Sequence, residues 1–217
     1  MRVWGQRALK DFGFGETTEF QLIKRSEPLY VSNAYWTLMN HARPHVDAPN
    51  HLQRNAGGVD GYDLARLVGP IKLIDARGSS INETISVAEI SGNDIQPGDV
   101  VIILTGYIAP GPNEIPAFRV LSKEAAEYLA GIPIRAFATD ALSADSFRDF
   151  YRRMEQGDNF IYEDLVHHSF LSRGIPIIEQ LVNVDALVGI QNAVFVGLPL
   201  KVKDGDASPI RAAAFVY

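Results

Sequence analysis

Val100-Val101-Ile102-Ile103-Leu104-Thr105-Gly106-Tyr107 is the stretch from which the fold reads most directly. Its first five residues are apolar and leave no polar face, which suits a strand covered on both sides. Gln96-Pro97-Gly98-Asp99 forms the turn that starts the strand, and Thr105-Gly106-Tyr107 leaves it for a loop placed to line a pocket. Downstream, Ser122 caps a helix through Glu124, Ala125, Ala126, Tyr128 and Leu129, and Ile134 to Ala138 is the next strand. Upstream, Ile71 to Ala76 is a short strand. Ser86-Val87-Ala88-Glu89-Ile90 is a helical turn, with Glu89 at the capping-box spacing from Ser86.

The same reading extends to both ends. Asn33 to Met39 is aromatic and apolar and predicts a strand. Leu165 to Leu171 predicts a helix that Gly174 and Pro176 end, followed by strands at Ile175 to Glu179 and Ala193 to Leu198. Ser208-Pro209-Ile210-Arg211 is expected to be a turn. Strands alternating with short helices give an α/β class, and 217 residues suit a single domain spanning 1–217. The spacing by itself selects neither a barrel nor a doubly wound sheet.

Composition narrows the chemistry. The net charge of −6 and the lack of a long Lys/Arg cluster speak against nucleic acid and anionic membrane as partners. There are no cysteines, so disulfides, thiolate metal sites and cysteine nucleophiles are excluded. Any metal must be held by His, Asp or Glu. Met1 to Arg7 lacks the apolar run of a signal peptide, and no stretch approaches the ~18 apolar residues of a membrane span. The expected compartment is the cytoplasm.

The five histidines fall in two clusters. The first reads His41-Ala42-Arg43-Pro44-His45-Val46-Asp47-Ala48-Pro49-Asn50-His51. Pro44 and Pro49 make it a strand end and a constrained loop. His45 and Asp47 are two apart, so in an extended segment they face the same side. Imidazoles with a carboxylate suit Zn²⁺ or another first-row divalent ion. The second cluster is His167-His168, with Glu179 twelve residues after His167 at the end of an apolar strand. A buried carboxylate there needs a pairing partner or a metal. Asp140, after Phe137-Ala138-Thr139, stands at a strand end where α/β proteins place site residues. No serine has a nucleophile-elbow context.

His41 to His51 resembles the hallmark His-x-Gly-Thr-His-x-Asp-x-Pro-x-His of the cyclase-like metal-dependent hydrolases, relatives of bacterial kynurenine formamidase and isatin hydrolase. All three His, the Asp and the Pro are in register. Asp99 to Tyr107, Leu121 to Ala126, His167 to Glu179, Leu198 to Lys201 and Ser208 to Ala212 resemble later family segments, so the likeness runs from about residue 33 to the end. It implies a swivelling β/β/α fold, a homodimer or larger assembly, a small-molecule substrate, and one or two divalent ions per chain, zinc first and manganese second. His41, His45 and Asp47 match the first metal ligands, His167 and Glu179 those completing a second site, and His51 the proton-transfer histidine. The implied activity is hydrolysis of an amide or cyclic amide, acting on a carbon–nitrogen bond other than a peptide. Ester or lactone hydrolysis on the same site, and a non-catalytic metal- or ligand-binding homologue, are the alternatives.

The family's Gly-Thr is Arg43-Pro44 here. An arginine between two ligand positions is costly unless it has a partner. It either points outward to a protein carboxylate or reaches over the pocket as a substrate-binding residue that clamps a carboxylate.

Overall fold

The computed structural model describes residues 18–26, 31–78, 84–108, 116, 118–157 and 165–217. Met1 to Arg7, where no signal peptide is expected, lies outside them. The strands are β1 (Thr18–Ser26), β2 (Val31–Leu38), β3 (His45–Asp47), β4 (Val68–Asp75), β5 (Val100–Leu104), β6 (Ala136–Thr139), β7 (Ile177–Glu179), β8 (Ala193–Val196), β9 (Ala207–Pro209) and β10 (Ala213–Val216). The helices are α1 (Val87–Ser91), α2 (Lys123–Ala130), α3 (Phe147–Glu155) and α4 (Val166–Leu171). β1 and β2 pair antiparallel as a ribbon. The other eight strands form one sheet in the order β10-β8-β4-β5-β6-β7-β3-β9.

β4 to β7 run parallel, and the antiparallel strands lie at the two flanks. Parallel neighbours need crossover connections, and these deliver the helices to the sheet. All five residues of β5 are buried, as their unbroken apolar run requires. Alternation then divides the core. Val101 and Ile103 pack with Phe137, Ile177 and the helix residues Ile90, Leu129 and Phe170. Val100, Ile102 and Leu104 pack on the opposite face with Val46, Ala138, Ile178 and Phe195. On the helix side Phe170 stacks on Phe137 with ring centroids 4.5 Å apart.

Local chemistry sets the helix starts. Glu89 accepts from the Ser86 backbone N–H and hydroxyl at 2.9 Å each, and the Ser122 hydroxyl accepts from the Ala125 N–H at 3.1 Å. Gly174, just past α4, takes a positive φ of 66° that a residue with a Cβ adopts only under strain.

Two local expectations are corrected. The stretch His41 to His51 is more than a strand end and a loop, because His45–Asp47 is a strand inside the sheet, held by β7 on one side and β9 on the other. Ser208-Pro209 is also strand and not turn. β9 is the last strand of the sheet, and a proline is tolerated where no outer neighbour asks for its N–H. No helix among the described residues is long and apolar enough to cross a membrane.

Candidate metal centre

Sheet parity builds the centre. β3 and β7 pair with His45 opposite Glu179, Val46 opposite Ile178 and Asp47 opposite Ile177. Val46 and Ile178 belong to the core on the face away from the helices. His45, Asp47 and Glu179 therefore point to the helix side. There α4 places His167 in its first turn. The bend before β3 supplies His41, and the single-turn helix Pro49–His51 after it supplies His51.

Asp47 divides its two oxygens. Its Oδ1 is 3.1 Å from His41 Nδ1 and 3.3 Å from His45 Nε2, and its Oδ2 is 3.5 Å from His167 Nε2. Glu179 closes the ring, with Oε2 at 3.4 Å from His45 Nε2 and Oε1 at 3.2 Å from His167 Nε2. Oε1 also accepts from the Ala144 N–H at 2.6 Å. His51 joins from the open side. One ligand atom each of Asp47, His51 and His167 lies within 4.8 Å of the others, and the same holds for His41, His45 and Asp47.

His45, Asp47, His167 and Glu179 are all buried. Burial works against every charge here, and the groups offset it by attracting one another. It would lower the His45 imidazole, but Asp47 and Glu179 carry its pKa up to about 10. His167 is likewise raised against its burial by Asp145, Asp47 and Glu179. Burial would raise Asp47, but His45, His167 and His41 hold its carboxyl well below the usual range. Burial and the Asp47 charge would raise Glu179, and His167 and His45 bring it down instead.

These attractions do not amount to hydrogen bonding. Both ring nitrogens of His45 and both oxygens of Asp47 are buried with no hydrogen-bond partner. A buried carboxylate without a donor is costly, and with His45 Nε2 facing both Asp47 and Glu179 these atoms fit a cation. Nitrogen and oxygen donors from three imidazoles and two carboxylates, with no sulfur, suit zinc or another first-row divalent ion.

The structure thus brings together all five residues expected as ligands, and His51 with them. His168 is half-buried and belongs to none of these ligand groups. Asp140 is an organiser of the neighbouring loop: it accepts from the Thr105 N–H and hydroxyl at 2.7 Å each, the Gly106 N–H at 2.9 Å and the Tyr107 N–H at 3.1 Å.

Two acids escaped sequence reasoning. Asp145 accepts from the Val166 and His167 N–H groups at 2.8 and 3.2 Å, and its Oδ2 is 2.5 Å from His167 Nδ1. It therefore fixes the ring whose Nε2 faces Asp47 and Glu179. Asp206 Oδ2 lies 3.2 Å from His41 Nε2 and 3.3 Å from His51 Nδ1, while Oδ1 accepts from Asn40 Nδ2 at 2.5 Å. These imidazoles hold the Asp206 carboxyl far below its ordinary value, His51 contributing most. Its only sequence signal is its place just before the C-terminal stretch Ser208 to Ala212.

A separate cleft of about 500 Å³ is lined by none of the ring residues, though it includes their chain neighbours Arg43 and Gln180. Arg43, Tyr107, Ile108 and the segment Gln180 to Asp185 line it. Gln180 directly follows Glu179, in a left-handed conformation at φ 61°, held by its N–H to Ala141 O at 3.0 Å. This bend turns the chain out of β7 to form the cleft wall.

The family model "Putative cyclase" matches residues 2–146. A kynurenine formamidase of Maricaulis maris is 28% identical over 187 residues, covering 85% of this chain and 80% of that protein. Among solved structures, isatin hydrolase A from Labrenzia aggregata bound to benzyl benzoate superposes with a TM-score of 0.72 at 23% identity, covering 94% of this chain and 85% of the other. A protein described as a predicted metal-dependent hydrolase from Bacillus stearothermophilus superposes at 0.63 with 26% identity, over 93% and 88% of the two chains.

Proposed function

The chain belongs to the cyclase family, and we propose that it is a metal-dependent hydrolase that cleaves an amide or cyclic amide of a small molecule. The bond cut is a carbon–nitrogen bond other than a peptide, the chemistry named in its kynurenine formamidase and isatin hydrolase relatives. Residues 1–217 act as one hydrolase domain in this reading. The observation that carries it is that His45 and Asp47, buried among the other imidazoles and the Glu179 carboxylate, have ring nitrogens and carboxylate oxygens with no hydrogen-bond partner.

His41, His45 and Asp47 would hold one divalent ion, zinc before manganese, and His167 and Glu179 with the second oxygen of Asp47 would hold another. Bound there, the metal supplies a water acidified to a pKa of about 7 and polarisation of the scissile carbonyl. The protein residues supply position and proton transfer. Asp206 takes the Nδ1–H of His51, which leaves His51 Nε2 as the proton acceptor on the open side of the ring. His51 accepts the proton of the attacking water and then delivers it to the leaving nitrogen as the C–N bond breaks. Asp145 does for His167 what Asp206 does for His51. Arg43 is a substrate-binding residue of the adjoining cleft.

The acidic chain without cysteine suits the cytoplasm. A homodimer or larger assembly would cover β10, a flanking strand of the sheet whose Phe215 and Val216 are exposed. The test of function is turnover of a panel of aryl amides, cyclic amides, esters and lactones by protein loaded with zinc or manganese. Metal-dependent turnover of amides is expected. Turnover that survives removal of the metal, or confined to esters, would contradict the reading.

A further inference from the structure

We propose that residues 58–62 form a brace that spaces the two acids on either side of His41, with Gly58, Asp60 and Tyr62 as positioning residues. The brace serves the metal centre of the hydrolase reading above and rests on that reading.

His41 stands between two carboxylates. Its Nδ1 faces Asp47 Oδ1 at 3.1 Å and its Nε2 faces Asp206 Oδ2 at 3.2 Å. The same Asp206 oxygen lies 3.3 Å from His51 Nδ1. The spacing of the two acids therefore sets both the tilt of His41 and the seat of His51. Asp47 is carried by β3, inside the sheet. Asp206 comes just before β9, where Ala48 N–H donates to its carbonyl at 2.8 Å and the ladder ends. The turn that leads into it has no strand partner and must be held from outside.

Residues 58–62 reach both sides. At one end the Tyr62 hydroxyl donates to Asp47 O at 2.7 Å. At the other, the Val59 N–H donates to Gly205 O at 2.8 Å, and Asp60 Oδ1 accepts from the Asp204 N–H at 3.0 Å. The single-turn helix Val59–Gly61 joins the two ends, and Val59 is buried in the core, which anchors the brace. Gly58 contributes by being small. A Cβ there would meet the carbonyl carbon and Cα of Asp204 at 2.8 and 2.9 Å, well inside the ~3.5–4.0 Å at which carbon atoms pack. Its φ of −93° is open to any residue, so close approach and not backbone freedom demands the glycine. Asp204 itself sits at φ 55°, a sparsely populated conformation that persists only where the surroundings enforce it. Its bond to Asp60, and a second from Asn50 Nδ2 to its carbonyl at 3.2 Å, supply that enforcement.

The test uses zinc-loaded protein with isotope-labelled histidine, read by NMR. Native protein should show hydrogen-bonded ring N–H signals from His41 and His51, both identified by their loss in Asp206→Ala, and one from His167 on Asp145. Asp60→Ala removes the acceptor of the Asp204 N–H, and Gly58→Ala drives the turn away. Each should shift or broaden the His41 and His51 signals and weaken zinc by about 10-fold, the lower end of what the partners of metal ligands contribute. kcat should fall with little change in KM. Asp60→Asn keeps an acceptor oxygen and should restore all three readings. Tyr62→Phe should weaken zinc with the His41 and His51 signals in place. The His167 signal depends on Asp145 and should survive in every variant. Native ring signals and native zinc affinity in Asp60→Ala and Gly58→Ala, whatever their melting points, would overturn the proposal. Loss of the His167 signal together with the others would overturn it too, since the effect would then be general loosening. If native protein turns over no amide, the hydrolase reading fails, and the ring signals and zinc affinity alone decide the brace.

Discussion

Replacing Asp145 probes the ring through a residue that does not itself face Asp47 or Glu179. Its carboxylate accepts from two N–H groups at the start of α4 and from His167 Nδ1. Asp145→Ala leaves those helix donors unpaired, at about 1 kcal/mol, the usual worth of an N-cap. It also removes a short charge-assisted bond to a buried imidazole, worth roughly 1.5–3 kcal/mol. In a chain of this length each kcal/mol moves Tm by about 2–4 °C, so metal-free Asp145→Ala should melt roughly 5–16 °C lower. His167 then loses its fixed orientation, and metal affinity should fall by about 10- to 100-fold. Asp145→Asn separates the two effects. An amide caps a helix about as well as a carboxylate but no longer gives the charge-assisted bond to the imidazole, so only that share of the melting point, roughly 3–12 °C, should be lost, while affinity still falls. Scanning calorimetry of metal-free protein gives the first quantity, and competition for zinc against a chelating dye gives the second. Native metal affinity in Asp145→Ala would refute the reasoning, since His167 would then need neither this orientation nor, by extension, a place among the ligands.

His51→Ala should keep its metal by elemental analysis while turnover drops by about 10² to 10⁴, the range of acid–base catalysis, and loss of the metal with activity would make His51 a ligand instead. Asp140→Ala removes the acceptor of four donors in the loop that carries Tyr107 and should destabilise by about 2–3 kcal/mol in urea unfolding, with a higher KM; an unchanged urea midpoint would contradict its organising role. Phe170→Ala, which empties a fully buried position stacked on Phe137, should cost about 3–5 kcal/mol by the same measurement without changing the amide-to-ester preference.

The parts legible in the sequence were those encoded by neighbours along the chain. Val100 to Leu104 announces a strand covered on both faces, and Ser86 and Ser122 mark the helix starts they cap. The i, i+2 spacing of His45 and Asp47 already implies a shared face. That they form a strand of their own inside the sheet was hidden, because three residues between prolines carry no periodic signal and owe their pairing to β7 and β9. Asp145 and Asp206 were hidden for a related reason. Asp145 stands 22 positions from His167 and Asp206 stands 155 from His51, and no local pattern distinguishes either from a solvated acid. Arg43 was legible as an anomaly but not in direction, since a sequence shows that a cation needs a partner without showing whether the protein provides one.

The central claim is that His41, His45 and Asp47, with His167 and Glu179, form a metal centre. Anomalous diffraction at the zinc edge, from crystals grown with zinc and without chelator, tests it most directly. The account predicts a peak among His41, His45 and Asp47 at about 2.0–2.2 Å from their donor atoms, with any second peak between Asp47, His167 and Glu179. Crystals with no peak inside the ring, or with zinc bound only elsewhere on the surface, would contradict it.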